Sequence, residues 1–361
     1  MKQVGLNVAA DPLMSLSYVG VEGGMVVVVA DDPGPWSSQT EQDTRHFAKY
    51  SNLPVFDPSS PEEAYEMVSY AFELSEEFRL PVFLRPTTRV CHASATVELG
   101  DFPGPGTASG FVKRSDWIIF PALSYRKHGE LEQKQKLISD KFSTLTFNRI
   151  IKGGKKGIAV SGISYLYAME VIKEFDLDLT VLKVGTPYPL PLRLAEEFLS
   201  AVDQVMVVEE LDPVLEEQLL IVSGGKNEIF GKMTGDMPYN GEYSFESIKN
   251  SLLKFAGVES ADLVMVDIPK LPVRPPVLCA GCPHRASFFA AKTAAKNFEK
   301  TVYCGDIGCY TLGNAAPLNT VDTCLCMGAG ITIAQGIKLA ENGAKCIAFI
   351  GDSTFFHTGI P

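Results

Sequence analysis

Short apolar runs alternate with amphipathic stretches along the first part of this chain. Residues 25–30 (MVVVVA) form a β-branched run that ends at DDPGP, which predicts a buried strand followed by a loop. Residues 53–60 and 80–90 are two further predicted strands, and residues 37–50 and 61–78 between them have helical periodicity. Strands separated by helices of this length predict a parallel sheet that is covered on both faces.

The same alternation returns twice further along the chain. Helices are predicted at 129–148 and 165–175, and apolar strands at 155–162, 179–191, 204–213, 301–306 and 344–352. Pro/Gly-rich segments at 101–110 and 271–277 separate the stretches. The predicted fold class is therefore α/β, with three consecutive units of mainly parallel sheets flanked by helices. The predicted boundaries are 1–105, a linker region 106–150, 151–270 and 271–361.

Composition and charge exclude several classes of protein. Hydrophobic residues make up 46% and charged residues 21%, as in a globular protein, and no apolar run approaches the roughly 18 residues of a membrane span. The formal charge of −11, without a basic stripe, argues against nucleic acid as a partner. The N-terminus has no signal-peptide core, so we expect a cytoplasmic protein. Because no strand precedes GLNVAADP and the chain stops just after Gly359, we also expect a fragment of a longer polypeptide.

The cysteines are unevenly distributed along the chain. Cys91 stands alone, whereas the other seven lie between residues 279 and 346. Such clustering in an intracellular protein indicates buried thiols, redox chemistry or metal. The Cys279-Ala-Gly-Cys282 motif alone is compatible with a redox dithiol, half a zinc site or two ligands of an iron–sulfur cluster. The apolar surroundings of a further set predict core positions, namely Cys304, Cys324, Cys326 and Cys346.

The apolar strand near the end of the chain breaks at Gly351-Asp352-Ser353. Such a turn places backbone N–H groups and a carboxylate at the carboxyl edge of a parallel sheet, where glycine lets a phosphate approach and Asp352 is a potential Mg²⁺ ligand. An ordinary β–α turn is the alternative. The glycine-punctuated helix entry at 327–342, which includes Gly328, is the type of helix N-terminus that binds anionic groups. Two such loops one βα unit apart favour the phosphate-binding interpretation.

Three other residues have both a structural and a functional interpretation. Ser37 and Gln39 follow the first strand, where they either cap a helix or lie at a ligand cleft. His357 lies five residues beyond Asp352 and is either structural or a contact to cofactor or substrate.

Several long strings resemble one family. They are CAGCPHRASFFAAK (279–292), CGDIGCYTLG (304–313), MGAGITIAQGIKLA (327–340), GDSTFFHTGIP (351–361), VGLNVAADPLMSLSYVG (4–20) and ADDPGPWSSQTEQDTRHFAKY (30–50). Together they resemble the alpha subunit of indolepyruvate:ferredoxin oxidoreductase, a thiamine diphosphate enzyme. The resemblance implies the C-terminal part of a pyrimidine-binding domain in 1–105, a transketolase C-terminal-like middle domain in 151–270 and the N-terminal part of a diphosphate-binding domain in 271–361.

The resemblance also assigns candidate site residues. It makes Gly351-Asp352-Ser353 the opening of the thiamine diphosphate motif, with Asp352 on Mg²⁺, and brings in Gly305, Asp306, Gly328, Ser37 and Gln39 as cofactor-binding residues. His357 is the candidate catalytic residue. Relatives hold a 4Fe–4S cluster through positions that match Cys279, Cys282 and Cys309, with a fourth ligand far downstream. The family pattern further includes an upstream glutamate, a downstream asparagine and a ferredoxin-like domain outside these residues.

The implied reaction is oxidative decarboxylation of aryl pyruvates such as indolepyruvate. The products are an aryl-acetyl-coenzyme A and reduced ferredoxin, and the implied partners are a beta subunit, ferredoxin and coenzyme A. The cofactor supplies the carbanion chemistry and the protein supplies binding, orientation and an electron path. Two alternatives remain at this stage: a thiamine-dependent decarboxylase or synthase that does not use ferredoxin, and an inactive fragment that acts only as a binding module.

Overall fold

The computed structural model describes most of the chain. It covers residues 1–36, 38–100, 110–258, 269, 271–272 and 274–360. The chain divides into two compact units, Met1–Met265 and Val266–Pro361. The predicted linker at 101–110 falls almost entirely outside the described residues, and the predicted domain boundaries stay predictions.

The first sheet of the larger unit has three parallel strands. They are β1 (Val26–Val28), β2 (Val55–Phe56) and β3 (Val82–Leu84), in the order β1-β3-β2. The helices of this part are α1 (Gln3–Val8), α2 (Ala10–Val19), α3 (Thr44–Ser51), α4 (Pro61–Phe78) and α5 (Thr88–His92).

Capping chemistry explains where two of these helices begin. Helix α4 has the predicted bounds, because the Ser60 side chain accepts a hydrogen bond from the Glu63 N–H and Pro61 fits the first turn. Helix α3 begins at Thr44 instead of near residue 37. The Asp43 carboxylate accepts from the Arg45 N–H at 2.9 Å, so the cap lies at Asp43 and the preceding residues form a loop.

The second sheet of this unit has five strands with helices on both faces. The long helix α6 (Pro121–Phe142) leads into strands β4 (Arg149–Ile151), β5 (Lys156–Ser161), β6 (Thr180–Val184), β7 (Gln204–Val208) and β8 (Glu228–Phe230). Their order is β4-β6-β5-β7-β8, and only β4 pairs antiparallel to its neighbour. The covering helices are α7 (Ser164–Glu174), α8 (Leu192–Ala201), α9 (Val214–Ser223) and α10 (Phe245–Ala256).

Alternate residues of β5 belong to different cores, as a doubly covered strand requires. Ile158 and Val160 pack with Ala168 and Leu252 from α7 and α10, whereas Ala159 packs in a separate cluster with residues of α8 and α9.

Buried charges tie the two sheets of this unit together. Asp57, Arg85 and Glu209 directly follow β2, β3 and β7, so the carboxyl ends of the two sheets meet. Arg85 pairs with Asp57 at 3.3 Å and with Asp31 at 2.7 Å, and Arg45 Nη1 lies 2.6 Å from Glu209 Oε2. All these side chains are almost fully buried. These buried ion pairs therefore hold the two sheets together.

The smaller unit is built on one parallel pair of strands. It contains α11 (Pro283–Ala295), β9 (Thr301–Cys304), α12 (Ala329–Ala340), β10 (Lys345–Ala348) and the short α13 (Asp352–Thr354). Its core centres on Leu278, Phe288 and Phe349. The predicted α/β class with mainly parallel sheets is thus confirmed. Among the described residues, no helix combines the length and apolar character needed to cross a membrane.

Candidate functional site

The two strands of the smaller unit end side by side. Cys304 of β9 pairs in parallel with Ala348 of β10, so the residues that follow both strands leave the sheet at the same edge. Gly305 and Asp306 follow β9, and the Gly351 turn follows β10. This is the edge at which open parallel sheets bind ligands.

Asp306 connects this edge to the next helix. Its Oδ1 accepts hydrogen bonds from the Ile307 N–H at 2.9 Å and from the Gly328 N–H at 2.8 Å. Its Oδ2 accepts from the Gly351 N–H at 2.9 Å. The side chain is buried, so a single carboxylate holds the helix entry and the strand-end turn together.

Helix α12 begins close to both strand ends because the two glycines at its start have no side chains. Gly328 has a φ of 84°, which favours glycine. A Cβ on Gly330 would lie 2.7 Å from the carbonyl oxygen of Gly305 and 3.2 Å from that of Phe349. The helix N-terminus therefore approaches the sheet edge as closely as backbone contact permits.

The Gly351-Asp352-Ser353 turn opens the last helical segment. Asp352 and Ser353 are exposed, whereas Thr354 is buried. The Phe355 N–H donates to the Gly351 carbonyl at 2.8 Å. His357 is exposed on the next turn, and its Nδ1 contacts Thr358 Oγ1.

These features fit a diphosphate with one divalent cation. The N-terminus of α12 and the Gly351 turn meet at one sheet edge, and because Gly330 has no Cβ, α12 packs directly against that edge. The exposed Asp352 carboxylate fits one ligand position of Mg²⁺, which typically takes one or two carboxylates besides phosphate oxygens.

The predicted cluster ligands lie in two nearby turns. Cys279 and Cys282 precede α11 and Cys309 follows Gly308, while the His284 ring packs edge-on against Tyr310 with centroids 4.6 Å apart.

The described sulfur atoms are not grouped around one metal site. Cys282 Sγ lies 3.1 Å from His284 Nδ1, and Cys279 and Cys309 are exposed. In the part of the chain that the structure describes, no three His, Cys, Asp or Glu side chains are grouped so that they hold a metal ion. The assignment of Cys279, Cys282 and Cys309 to an iron–sulfur cluster therefore stays a prediction.

The other cysteines are partly as predicted. All eight, each a described residue, are free thiols. Cys304 is buried, and Cys324 and Cys346 are partly buried. The core prediction is wrong for Cys326, which is exposed because it lies in the loop before α12 and not in a strand.

The candidate residues Ser37 and Gln39 follow β1 in the sequence. Ser37 is outside the described residues, and Gln39 is exposed. The described residues near Gln39 are held by Lys2 Nζ, which donates to Ser38 Oγ at 3.1 Å, and by the Glu41 carboxylate, which accepts from the Gly241 N–H at 2.9 Å. The structure thus groups Gly305, Asp306, Gly328 and the Gly351 turn at one edge, and places Gln39 in the other unit.

Sequence reasoning missed two features of the site. The close packing of Gly330 was detectable in principle, because Gly328-Ala-Gly330 at a helix entry is a Gly-x-Gly pattern. The contact between Cys282 and His284 had no such signal. It depends on the side-chain positions at the start of α11.

Comparison with known proteins agrees with this geometry. Residues 306–361 match the family described as thiamine pyrophosphate enzyme, C-terminal TPP binding domain. These residues begin at Asp306 and include Gly328 and the Gly351 turn.

Curated relatives match along the whole chain. The chain is 41% identical over 372 residues to Indolepyruvate oxidoreductase subunit IorA of Methanothermobacter thermautotrophicus, covering 100% of this chain and 60% of the relative. It is 42% identical over 393 residues to the subunit of the same name from Pyrococcus horikoshii, again covering 100% and 60%. The chain therefore spans about 60% of the length of these relatives.

A solved structure has a similar fold. The 2-oxoglutarate:ferredoxin oxidoreductase of Magnetococcus marinus aligns with 71% of this chain and 52% of its own, at a TM-score of 0.51 and 15% identity. The sequence match to the curated subunits is much closer. That match runs from end to end of this chain, which is therefore similar over its whole length to about 60% of an indolepyruvate oxidoreductase IorA subunit.

Proposed function

We propose that this chain carries the diphosphate-binding part of a subunit that oxidatively decarboxylates aryl pyruvates, indolepyruvate among them. The observation that carries the proposal is the pair of glycine-bearing helix entries at the ends of β9 and β10, joined by Asp306. The identity to IorA subunits supports the substrate class. Because the chain spans about 60% of those relatives, the activity is proposed for the full-length subunit.

The proposed reaction balances with named co-reactants. One aryl pyruvate anion and one coenzyme A thiol give one aryl-acetyl-coenzyme A, one CO₂ and one proton, and the two electrons released reduce two one-electron ferredoxins. When bound, thiamine diphosphate supplies the carbanion chemistry of the decarboxylation. A beta subunit, ferredoxin and coenzyme A are the proposed partners. The solved 2-oxoglutarate:ferredoxin oxidoreductase, whose fold is similar, was determined with 2-oxoglutarate, coenzyme A and succinyl-CoA bound.

The chain's own residues have distinct roles in this proposal. The N-terminus of α12, after Gly328, directs its next N–H groups and the positive end of the helix dipole toward the diphosphate, and the N–H groups that follow Gly351 contact it as well. Asp352 binds Mg²⁺, and Ser353 and Gly305 line the same edge. His357 is the proposed contact to substrate or cofactor, and Ser37 and Gln39 are proposed to act in the pyrimidine-binding part.

The electron path through Cys279, Cys282 and Cys309 stays a prediction. Among the described residues, these three sulfur atoms are not grouped around one site. Iron and sulfide analysis of the full-length subunit, before and after Cys309→Ser, tests it. The free thiols are compatible with the reducing cytoplasm that we propose as its location.

Calorimetry tests the cofactor proposal directly. We expect the full-length subunit to bind thiamine diphosphate in the presence of Mg²⁺, and Asp352→Asn to weaken binding by about tenfold or more, since a metal ligand is lost. Asp322→Asn is the matched control, because Asp322 is exposed in the same unit and accepts a hydrogen bond from the Tyr303 N–H instead. Absence of binding to the wild-type subunit would contradict the proposal.

Turnover distinguishes the remaining alternatives. Indolepyruvate-dependent reduction of ferredoxin that requires coenzyme A supports the proposed reaction. Release of an aldehyde without any electron acceptor identifies a decarboxylase of the non-ferredoxin type. Cofactor binding without turnover by the subunit together with its partner identifies a binding module.

A further inference from the structure

One carboxylate contacts both turns that the proposed function assigns to the diphosphate. The Asp306 oxygens accept hydrogen bonds from the N–H groups of Ile307, Gly328 and Gly351, at 2.8–2.9 Å. The side chain is 1% exposed. Backbone N–H groups therefore take the place of water around this carboxylate.

The charge of Asp306 argues against direct contact with the diphosphate. A bare carboxylate beside a diphosphate is repelled, whereas one that is buried among three N–H donors has its charge compensated by the fold. The N–H groups of Gly328 and Gly351 are also directed at Asp306, so they are already engaged before a ligand arrives.

We propose that Asp306 is a positioning residue, which fixes the α12 entry and the Gly351 turn relative to each other so that the following N–H groups converge on the diphosphate. This inference rests on the proposed function for the identity of the ligand. It replaces the direct cofactor contact predicted for Asp306 from the sequence with an indirect role.

The atomic arrangement offers a selective test. In Asp306→Asn, an amide oxygen at the Oδ1 position keeps the hydrogen bonds from Ile307 and Gly328. The amide NH₂ at the Oδ2 position then faces the Gly351 N–H, donor against donor. The substitution therefore releases the Gly351 turn and leaves the α12 entry attached.

Hydrogen exchange of the full-length subunit without cofactor measures whether the Gly351 turn is released. We expect the amides of residues 351–355 to exchange about tenfold faster or more in D306N, the order of one lost hydrogen bond to a charged group. The affinity for thiamine diphosphate with Mg²⁺ is expected to fall by a similar factor. Asp322→Asn removes a carboxylate that accepts from the Tyr303 N–H at 2.7 Å, and is expected to change neither quantity.

A second pair of variants tests the same contact from the opposite side, should D306N not fold. Gly351 has a φ of −68°, which proline and alanine both adopt. Gly351→Pro removes the N–H and is expected to speed exchange at residues 352–355. Gly351→Ala keeps the N–H, and its Cβ lies 3.5 Å from Thr354 Oγ1, an ordinary contact, so exchange is expected to stay slow.

The outcomes separate this inference from the proposed function. Wild-type exchange and affinity in D306N would overturn the inference. Weaker cofactor binding with unchanged exchange would also overturn it, because Asp306 would then act by direct contact. If the wild-type subunit binds no thiamine diphosphate, the proposed function fails, while the exchange data still decide whether Asp306 holds the turn.

Discussion

Glu210 shows how strongly burial controls a single side chain in this chain. It follows β7 and is 4% exposed. Burial raises the pKa of its carboxyl to about 7, although the Tyr243 N–H, which donates to Oε1 at 3.0 Å, opposes the rise. Its neighbour Glu209 has a raised pKa for the same reason, opposed by Arg45. Burial therefore favours the protonated form of Glu210.

This pKa predicts how stability depends on pH. Because the folded pKa lies above the unfolded one, the proton stabilises the fold fully below pH 4.5, and this contribution is lost as pH rises through 7. We expect Glu210→Gln, which cannot ionise, to be more stable than wild type at pH 8 by roughly 3 kcal/mol. At pH 4.5 the difference is expected to be small.

Urea denaturation at both pH values measures this difference. Glu196→Gln on α8 is the control, because Glu196 is exposed and its substitution is expected to leave the pH dependence unchanged. Equal pH dependence in wild type and Glu210→Gln would show that Glu210 ionises normally in the folded protein.

Helix α12 shows that two glycines of one element have opposite structural roles. Gly330 packs against the Gly305 carbonyl oxygen, which a Cβ would approach to 2.7 Å. Gly336 has open space around its Cβ position. One glycine is required by packing, and the other weakens the helix.

We expect Gly330→Ala and Gly336→Ala to have opposite effects on the stability of the smaller unit. Gly330→Ala displaces the α12 entry from the sheet edge, so it lowers the free energy of unfolding by about 1–3 kcal/mol and weakens thiamine diphosphate binding. Gly336→Ala raises the free energy of unfolding by about 0.5–1 kcal/mol. Thermal unfolding and calorimetry measure both effects. A stabilising Gly330→Ala would mean that the close contact is absent.

Elements with strong local signals were predictable from the sequence, and those fixed by tertiary contacts were not. Helix α4 has an N-cap serine, a first-turn proline and amphipathic spacing, all of which are local. The start of α3 depends on Asp43. The Asp43 carboxylate pairs with Arg45, which also pairs with the distant Glu209, and it lies near the distant Arg85 as well. Helix α6 begins at Pro121, earlier than predicted. Proline favours the first turn of a helix, and this signal was missed because the preceding residues are apolar.

The same division holds for the candidate site. The Gly351-Asp352-Ser353 turn was predictable, because a strand-to-turn break and glycine chemistry are visible in sequence. The position of the Asp306 carboxylate depends on Gly328 and Gly351, which are distant in sequence and adjacent only in the folded unit. The family resemblance implied shared ligands at Cys279, Cys282 and Cys309, but a sequence resemblance does not determine where the sulfur atoms point.

At the scale of the molecule, the two units have unequal cores. The larger unit has three clusters of buried apolar residues, whereas the described core of the smaller unit centres on Leu278, Phe288 and Phe349. Less buried apolar surface means less stabilisation per residue. We therefore expect the smaller unit, which holds the proposed diphosphate site, to be the less stable of the two.

We expect native-state hydrogen exchange to report this difference. Amides of β9 and β10 are expected to exchange faster than those of β5 and β7, because local opening costs less in a smaller core. Adding thiamine diphosphate with Mg²⁺ to the full-length subunit is expected to protect the smaller unit selectively. Thiamine without its diphosphate is the control ligand. Equal exchange in both units would contradict the expectation.

The meeting of the two sheet ends in the larger unit has a consequence for how such a protein changes over time. Asp57 and Arg85 come from one sheet and Glu209 from the other, and each is buried among charges supplied by its neighbours. A substitution at one of these positions leaves a buried opposite charge without its partner unless a second substitution accompanies it. The two sheets are therefore expected to be inherited and exchanged between proteins as one block, and a chimera that joins them from different relatives must carry both halves of the ion network.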